Sequence, residues 1–169
     1  MSGYQPLQPW SWLLAPMLVS LFATIIIATP VRFLGLALPE PVFPMTLAFA
    51  WAVIRPSILG PFLLLVSGVF LDLFWHGELG LWAFCLVTVY GLSLLVRNLM
   101  VGQSVRVLWT WYGGFTLLAY TIAFLFTAAE ARTAPNLMNT AWQALVTILL
   151  FPFARRLIDT FEDADVRFR

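Results

Sequence analysis

Three side chains that can bind a proton or a metal, Asp72, His76 and Glu78, lie close together in an otherwise apolar stretch, SGVFLDLFWHGELGLWAF (67–84). A carboxylate in such a run has three interpretations. It bonds to backbone N–H groups in the turn, it pairs with an arginine, or it is a proton or ion site of a transporter. Histidine and carboxylates also ligate zinc, but the chain has one histidine, which leaves at most a loose surface site. We therefore expect no metal.

The rest of the chain offers no recognisable catalytic set. The histidine lies near none of the Ser and Thr hydroxyls of the apolar segments in sequence, and there is no glycine-rich loop that would cradle a phosphate. Cys85 is the only cysteine, so one chain can form neither a disulfide framework nor a cysteine-based metal site. We expect that the protein is not an enzyme and takes no cofactor, and that it has no nucleic-acid partner.

The composition is that of an integral membrane protein. Of 169 residues, 62% are hydrophobic and 10% are charged, and the mean hydropathy is +0.92. A membrane span needs about 20 apolar residues, and breakers divide the chain into six apolar segments, at 12–29, 42–54, 57–74, 79–96, 105–129 and 138–153. These predict an all-α polytopic fold with about six transmembrane helices. The second segment is short and predicts either a tilted span or a re-entrant partner of the third.

The arginines predict how the chain is oriented, because cationic residues near span ends are retained in the cytoplasm. With six spans, the two arginines of one side are Arg32 and Arg132, and the other side has seven: Arg55, Arg97, Arg106, Arg155, Arg156, Arg167 and Arg169. Both termini are therefore predicted to be cytoplasmic. Asp72 would lie near the outer surface, where only Arg32 and Arg132 are available to pair with it.

The spacing around Asp72 indicates which face of its helix meets protein. Gly68 lies one turn earlier on the same face, and a glycine there lets another helix approach closely. Gly77 is free to take a positive φ in the outer turn, and Gly80 stands at the start of the next helix. We therefore expect the third and fourth helices to pack as a hairpin, with Asp72 facing protein.

The last residues form a separate region in this prediction, with a transmembrane domain at 1–156 and a cytoplasmic tail at 157–169. Leu157, Phe161, Ala164 and Phe168 recur at spacings that line one helical face, whereas the other face is acidic. A helix meant only for anionic lipid would be basic. The pattern favours a cytoplasmic docking helix, with a solvated tail as the alternative.

The pattern Gly68-x-x-x-Asp72, then Leu79-Gly80-x-x-Ala83 and Tyr90, resembles the rod shape-determining protein MreD family of bacterial inner membranes. The similarity extends from about Pro56 to Leu125. The resemblance implies a non-enzymatic, multi-pass inner-membrane adaptor of the cell-elongation complex. Its implied partners are the bitopic protein MreC, the peptidoglycan synthase pair of RodA and penicillin-binding protein 2, and the MreB filament. The predicted spans add membrane lipid as a partner.

A second family also resembles this pattern, the integral substrate-binding subunits of energy-coupling vitamin transporters, which are six-helix proteins with glycine-rich spans. The alternative function is therefore a membrane substrate-binding subunit of a vitamin-type transporter. Such a subunit needs a polar and aromatic pocket open to the outside, and Trp75, His76, Trp82 and Tyr120 are the residues that could line one.

Overall fold

The computed structural model describes residues 9–28, 40–54, 56–131 and 136–166, and this part of the chain is helical without any strand. The all-α prediction is confirmed, and each of the six apolar segments contains a helix. In chain order the helices are α1 (Pro9–Ala28), α2 (Pro44–Ile54), α3 (Leu59–Phe74), α4 (Leu81–Leu95), α5 (Arg97–Met100), α6 (Val105–Ala131), α7 (Leu137–Leu149) and α8 (Phe151–Val166).

The shortest of the apolar segments forms the centre of the bundle. Every residue from Pro44 to Val53 is buried, and α2 packs against α1, α3, α4, α5 and α8. A helix that is apolar on all sides gains from burial on all sides, which explains this central position. Its 11 residues extend about 16 Å at 1.5 Å per residue, roughly half the thickness of a bilayer core.

The chain that enters α2, residues 40–43, is non-helical and largely buried, and side chains of α7 bond to its backbone. The Val42 N–H donates to Thr147 Oγ1 at 3.2 Å, and the Glu40 carbonyl accepts from Gln143 Nε2 at 2.8 Å. Pro41, between them, has no N–H to satisfy. Buried backbone groups without partners are costly, so these two bonds make it possible for non-helical chain to run inside the bundle.

Helices α3 and α4 form the hairpin that the sequence predicts, and they touch at backbone distance. A Cβ added to Gly68 would lie 2.2 Å from Ala83 Cα and 2.3 Å from Ala83 N. Real side chains do not approach a backbone so closely, so only glycine fits at this crossing. Gly68 is thus the contact point of the two helices.

Helices α7 and α8 run in succession and are separated by one turn residue, Leu150. Pro152 falls in the first turn of α8, where its missing N–H costs nothing. Phe151, Ala154 and Ile158 are buried, and α8 packs mainly on α2. The helix therefore continues without interruption across the expected domain boundary between 156 and 157, and the first turn of the expected tail belongs to the bundle.

Two helical stretches of the described residues are long and apolar enough to cross a bilayer, Val105–Glu130 and Leu137–Thr160. The second includes the α7–α8 junction. The other apolar helices are shorter than such a span, at 10–17 residues: Trp12–Ile27, Pro44–Ile54, Leu59–Phe74 and Leu81–Leu95.

Replacing Gly68 by alanine should destabilise the fold by at least about 2 kcal/mol, because the new methyl group forces the backbones of α3 and α4 apart. Gly91→Ala is the matched control, since a Cβ at this α4 glycine meets nothing within 4 Å. Alanine favours helix by up to about 1 kcal/mol over glycine, so the control should be neutral or stabilising. Thermal unfolding of the purified variants measures both, and equal midpoints would contradict the close approach.

Candidate functional site

The turn between α3 and α4 is the place where the ionisable residues of the predicted site meet. Helix α3 ends with two bonds typical of a Schellman motif, from the Gly77 N–H to the Asp72 carbonyl at 2.9 Å and from the His76 N–H to the Leu73 carbonyl at 3.4 Å. The residue that takes the left-handed conformation is His76, with φ of 53°. Our prediction placed a positive φ at Gly77 and was wrong in this detail, since the motif needs it one residue earlier. The second positive φ of this turn is at Gly80, at 95°.

The Asp72 carboxylate caps the N-terminus of α4. Its Oδ2 accepts from the Gly80 N–H at 2.8 Å and its Oδ1 accepts from the Trp82 N–H at 3.0 Å, with the residue 1% exposed. The first N–H groups of a helix have no partner within the helix, and a negative charge there also interacts favourably with the helix dipole. Of the three interpretations of Asp72, the one that agrees with the structure is the bond to backbone N–H groups in the turn.

The arginines considered as partners, Arg32 and Arg132, lie outside the described residues. Both carboxylate oxygens of Asp72 already accept a backbone bond. The geometry of Gly68 explains how so short a side chain reaches α4, because the close crossing one turn earlier brings the two helices within range. Gly68 and Asp72 therefore act together: Gly68 allows the close approach of α3 to α4, and Asp72 caps the N-terminus of α4.

At the opposite end of the hairpin, Tyr90 of α4 fastens the start of α3. Its hydroxyl donates to the Ser57 carbonyl at 3.0 Å and accepts from the Ser57 N–H at 3.1 Å. A Cβ on Gly60 would lie 3.0 Å from this hydroxyl, so Gly60 leaves the room that the ring occupies. The sequence made Tyr90 a candidate for contact with a partner. In the structure this residue is only 2% exposed, and its hydroxyl bonds within the chain.

A second cap closes α2 at this same end. Arg97 Nε donates to the Val53 carbonyl at 3.1 Å, and its Nη2 donates to the Ile54 carbonyl at 3.3 Å. A cation at a helix C-terminus satisfies free carbonyls and complements the dipole.

A polar network that the sequence did not reveal joins the chain that enters α2 to α6 and α7 through Thr147. The Thr147 hydroxyl donates to the Gln143 carbonyl at 2.8 Å and accepts from Val42 N–H, so the Tyr120 hydroxyl, 2.9 Å away, must be the donor of their bond. The Tyr112 hydroxyl donates to the Thr147 carbonyl at 2.9 Å. The spacing of Gln143 and Thr147, one helical turn apart, is the signal that could have identified this face.

Glu40 links the turn to this network. Its carboxylate accepts from Trp75 Nε1 at the end of α3, while its carbonyl accepts from Gln143 of α7. The Trp75 ring packs edge to face on Trp82, and Trp82 does the same on Tyr120, with ring centroids 5.7 and 5.3 Å apart. Three of the four residues expected to line an outward pocket are therefore packed ring against ring.

His76 and Glu78 are exposed at the surface of the turn. Among the residues that the structure describes, no three His, Cys, Asp or Glu side chains lie close enough to hold a metal ion.

The face proposed for docking on the tail is only partly within the described residues. Leu157 is partly buried against the core. The backbone of α8 is described as far as Val166, whereas the side chains of Phe161 and Ala164 lie outside the description, as does Phe168 altogether. The structure therefore brings together Gly68, Asp72, Gly80 and Ala83, and places Leu157 apart from them.

Comparison with known proteins finds no match to any family model, curated protein or solved structure.

Asp72→Asn should destabilise the chain by about 1–3 kcal/mol, because an amide keeps one acceptor and loses both the second bond and the charge at a buried helix end. His76→Gly is the control within the same turn. Its positive φ suits glycine, so this variant should unfold at the wild-type temperature or above it. Thermal unfolding of the two purified variants checks both expectations, and a wild-type midpoint for Asp72→Asn would refute the cap.

Proposed function

We propose that the chain is a six-span protein of the bacterial inner membrane with both termini in the cytoplasm. The observation that supports the membrane most directly is the distribution of residues on α3. Its buried residues are two leucines and four small or polar residues: Leu64, Leu71, Gly60, Ser67, Gly68 and Asp72. Its exposed residues are the large apolar ones, Leu59, Phe62, Leu65, Val66 and Leu73. Water would disfavour this arrangement, whereas hydrocarbon around the bundle favours it.

The two long helical stretches support the same proposal. A core helix of a soluble protein would be mostly buried, but only 28% of the apolar window of Val105–Glu130 and 22% of that of Leu137–Thr160 are buried inside the bundle. Exposed apolar residues such as Leu117, Leu125 and Leu145 face outward from them. The seven-to-two distribution of arginines supports the orientation.

Within this membrane we propose a non-enzymatic adaptor role in the cell-elongation complex, with MreC, RodA, penicillin-binding protein 2 and MreB as partners. The observation that carries this proposal is that the residues of the resemblance meet along one interface. Gly68 lies against Ala83, Asp72 bonds to Gly80, and Tyr90 fastens the start of α3. A motif used wholly to hold two helices together suits a scaffold, whose task is to present its outer surfaces.

The transporter alternative is less well supported. A vitamin-binding subunit needs open space among the outward aromatic residues, and here the Trp82 ring packs against both Trp75 and Tyr120. The Tyr120 hydroxyl also bonds to Thr147. A ligand between these residues would first have to separate them.

The topology makes a direct prediction. Reporter fusions after residue 76 and at the C-terminus should report the outside and the cytoplasm, respectively, because an odd number of spans precedes His76 and an even number precedes the C-terminus. Cytoplasmic signals from both fusions would refute the six-span arrangement.

Copurification tests the adaptor role. The tagged chain, extracted from membranes in mild detergent, should recover MreC together with RodA and penicillin-binding protein 2. Gly91→Ala should recover them equally, and Gly68→Ala should lose them in proportion to its loss of folded protein. Recovery of an ATPase module and a small ligand instead would favour the transporter.

A further inference from the structure

A groove of about 390 Å³ lies between α1 and α8, and the start of α2 forms its floor. Ala15 and Val19 of α1 line one wall, Phe153 of α8 lines the other, and Phe43 and Leu47 lie between them. Its volume falls within the range of about 300–1,000 Å³ that is typical of ligand sites. No residue of the turn that contains Asp72 lines it.

The hydroxyl groups in the walls are already engaged with the backbone. Ser20 donates to the Met17 carbonyl at 2.8 Å, Thr46 to the Phe43 carbonyl at 2.7 Å, and Thr160 to the Arg156 carbonyl at 2.6 Å. A hydroxyl that already donates its hydrogen bond to a carbonyl can only accept a hydrogen bond from a ligand. The groove is therefore apolar toward an occupant along most of its length.

One cation, Arg156, stands among these apolar walls. Its neighbour Arg155 forms an ion pair with Asp159, with Nε and Oδ2 3.1 Å apart. Among the side chains that the structure describes, no carboxylate pairs with Arg156 in this way. Arg156 is exposed and lies one turn from the end of the apolar stretch that finishes at Thr160.

We propose that this groove holds an acyl chain of an anionic phospholipid, with the lipid phosphate bound by Arg156. This inference rests on the proposed membrane location. Hydrocarbon matches the apolar walls, and a guanidinium forms strong bidentate bonds with phosphate. In the proposed orientation Arg156 lies at the cytoplasmic surface, where anionic lipids attract basic residues. A polar small molecule would find too few donors along the walls to replace its water.

The test is native mass spectrometry of the full chain in detergent, titrated with phosphatidylglycerol or with phosphatidylcholine of the same acyl chains. The wild type should bind phosphatidylglycerol more tightly. Arg156→Gln should weaken its binding about five- to tenfold, as expected for one arginine at a phosphate, and should change phosphatidylcholine binding little. Arg155→Gln, the matched control, removes an equal charge outside the groove and should bind as the wild type does.

A second variant tests the apolar part. Ala23 also lines the groove, and Ala23→Phe should reduce the binding of both lipids while the helical circular dichroism stays unchanged. If Arg155→Gln and Arg156→Gln weakened phosphatidylglycerol binding equally, the net charge of the protein would explain the loss, and the proposed site would be refuted. Undiminished lipid binding in Ala23→Phe would overturn the groove as its location.

These outcomes are separate from those of the proposed function. Recovery of the chain in the soluble fraction without detergent would refute the membrane location itself. Specific lipid binding without copurifying elongation proteins would refute the adaptor role and leave the lipid site standing.

Discussion

The approach of α3 to α4 at Gly68 is the contact on which the rest of the hairpin depends. Ala83 lies so close that a single methyl group on Gly68 would enter its backbone. This distance lets the short side chain of Asp72 reach two N–H groups at the start of α4, which have no partner within the helix. Steric fit and polar satisfaction are therefore coupled in one turn of helix, and neither Gly68 nor Asp72 serves its purpose without the other.

The same constraint, that buried backbone groups need partners, shapes the centre of the bundle. Helix α2 is too short to run the length of its neighbours, so non-helical chain leads into it, and the carbonyls of its last turn have no partners within the helix. Thr147 and Gln143 satisfy the first, and Arg97 satisfies the second. Backbone groups buried inside the bundle are costly when they lack such partners. These three polar side chains therefore have a structural role, since each bonds to backbone groups at an end of α2.

The interior of the described bundle combines an apolar core with small and polar residues, while many large apolar side chains lie on its outer surface. Small and polar residues lie between the helices, where they permit close packing and bond to the backbone, and large apolar residues face outward. In the groove between α1 and α8 this apolar surface is concave and has a cation near it, Arg156. Its chemistry differs from that of the Asp72 carboxylate, whose two oxygens already accept backbone bonds.

The sequence by itself determined the features that depend on local order: the all-helical class, the six apolar segments, and the placement of Gly68 and Asp72 on one face, because helical periodicity relates residues a few positions apart. Only the tertiary structure decided what Asp72 bonds to, and that Tyr90 meets Ser57, since these partners come from separate elements. That the positive φ falls at His76 and not at Gly77 could be known only from the position at which α3 ends. The role of Thr147 could not be predicted, because the sequence of an apolar helix is the same whether its threonine bonds only to its own turn or also to other elements. The packing of α6 and α7 against the chain that enters α2 decides which bonds form.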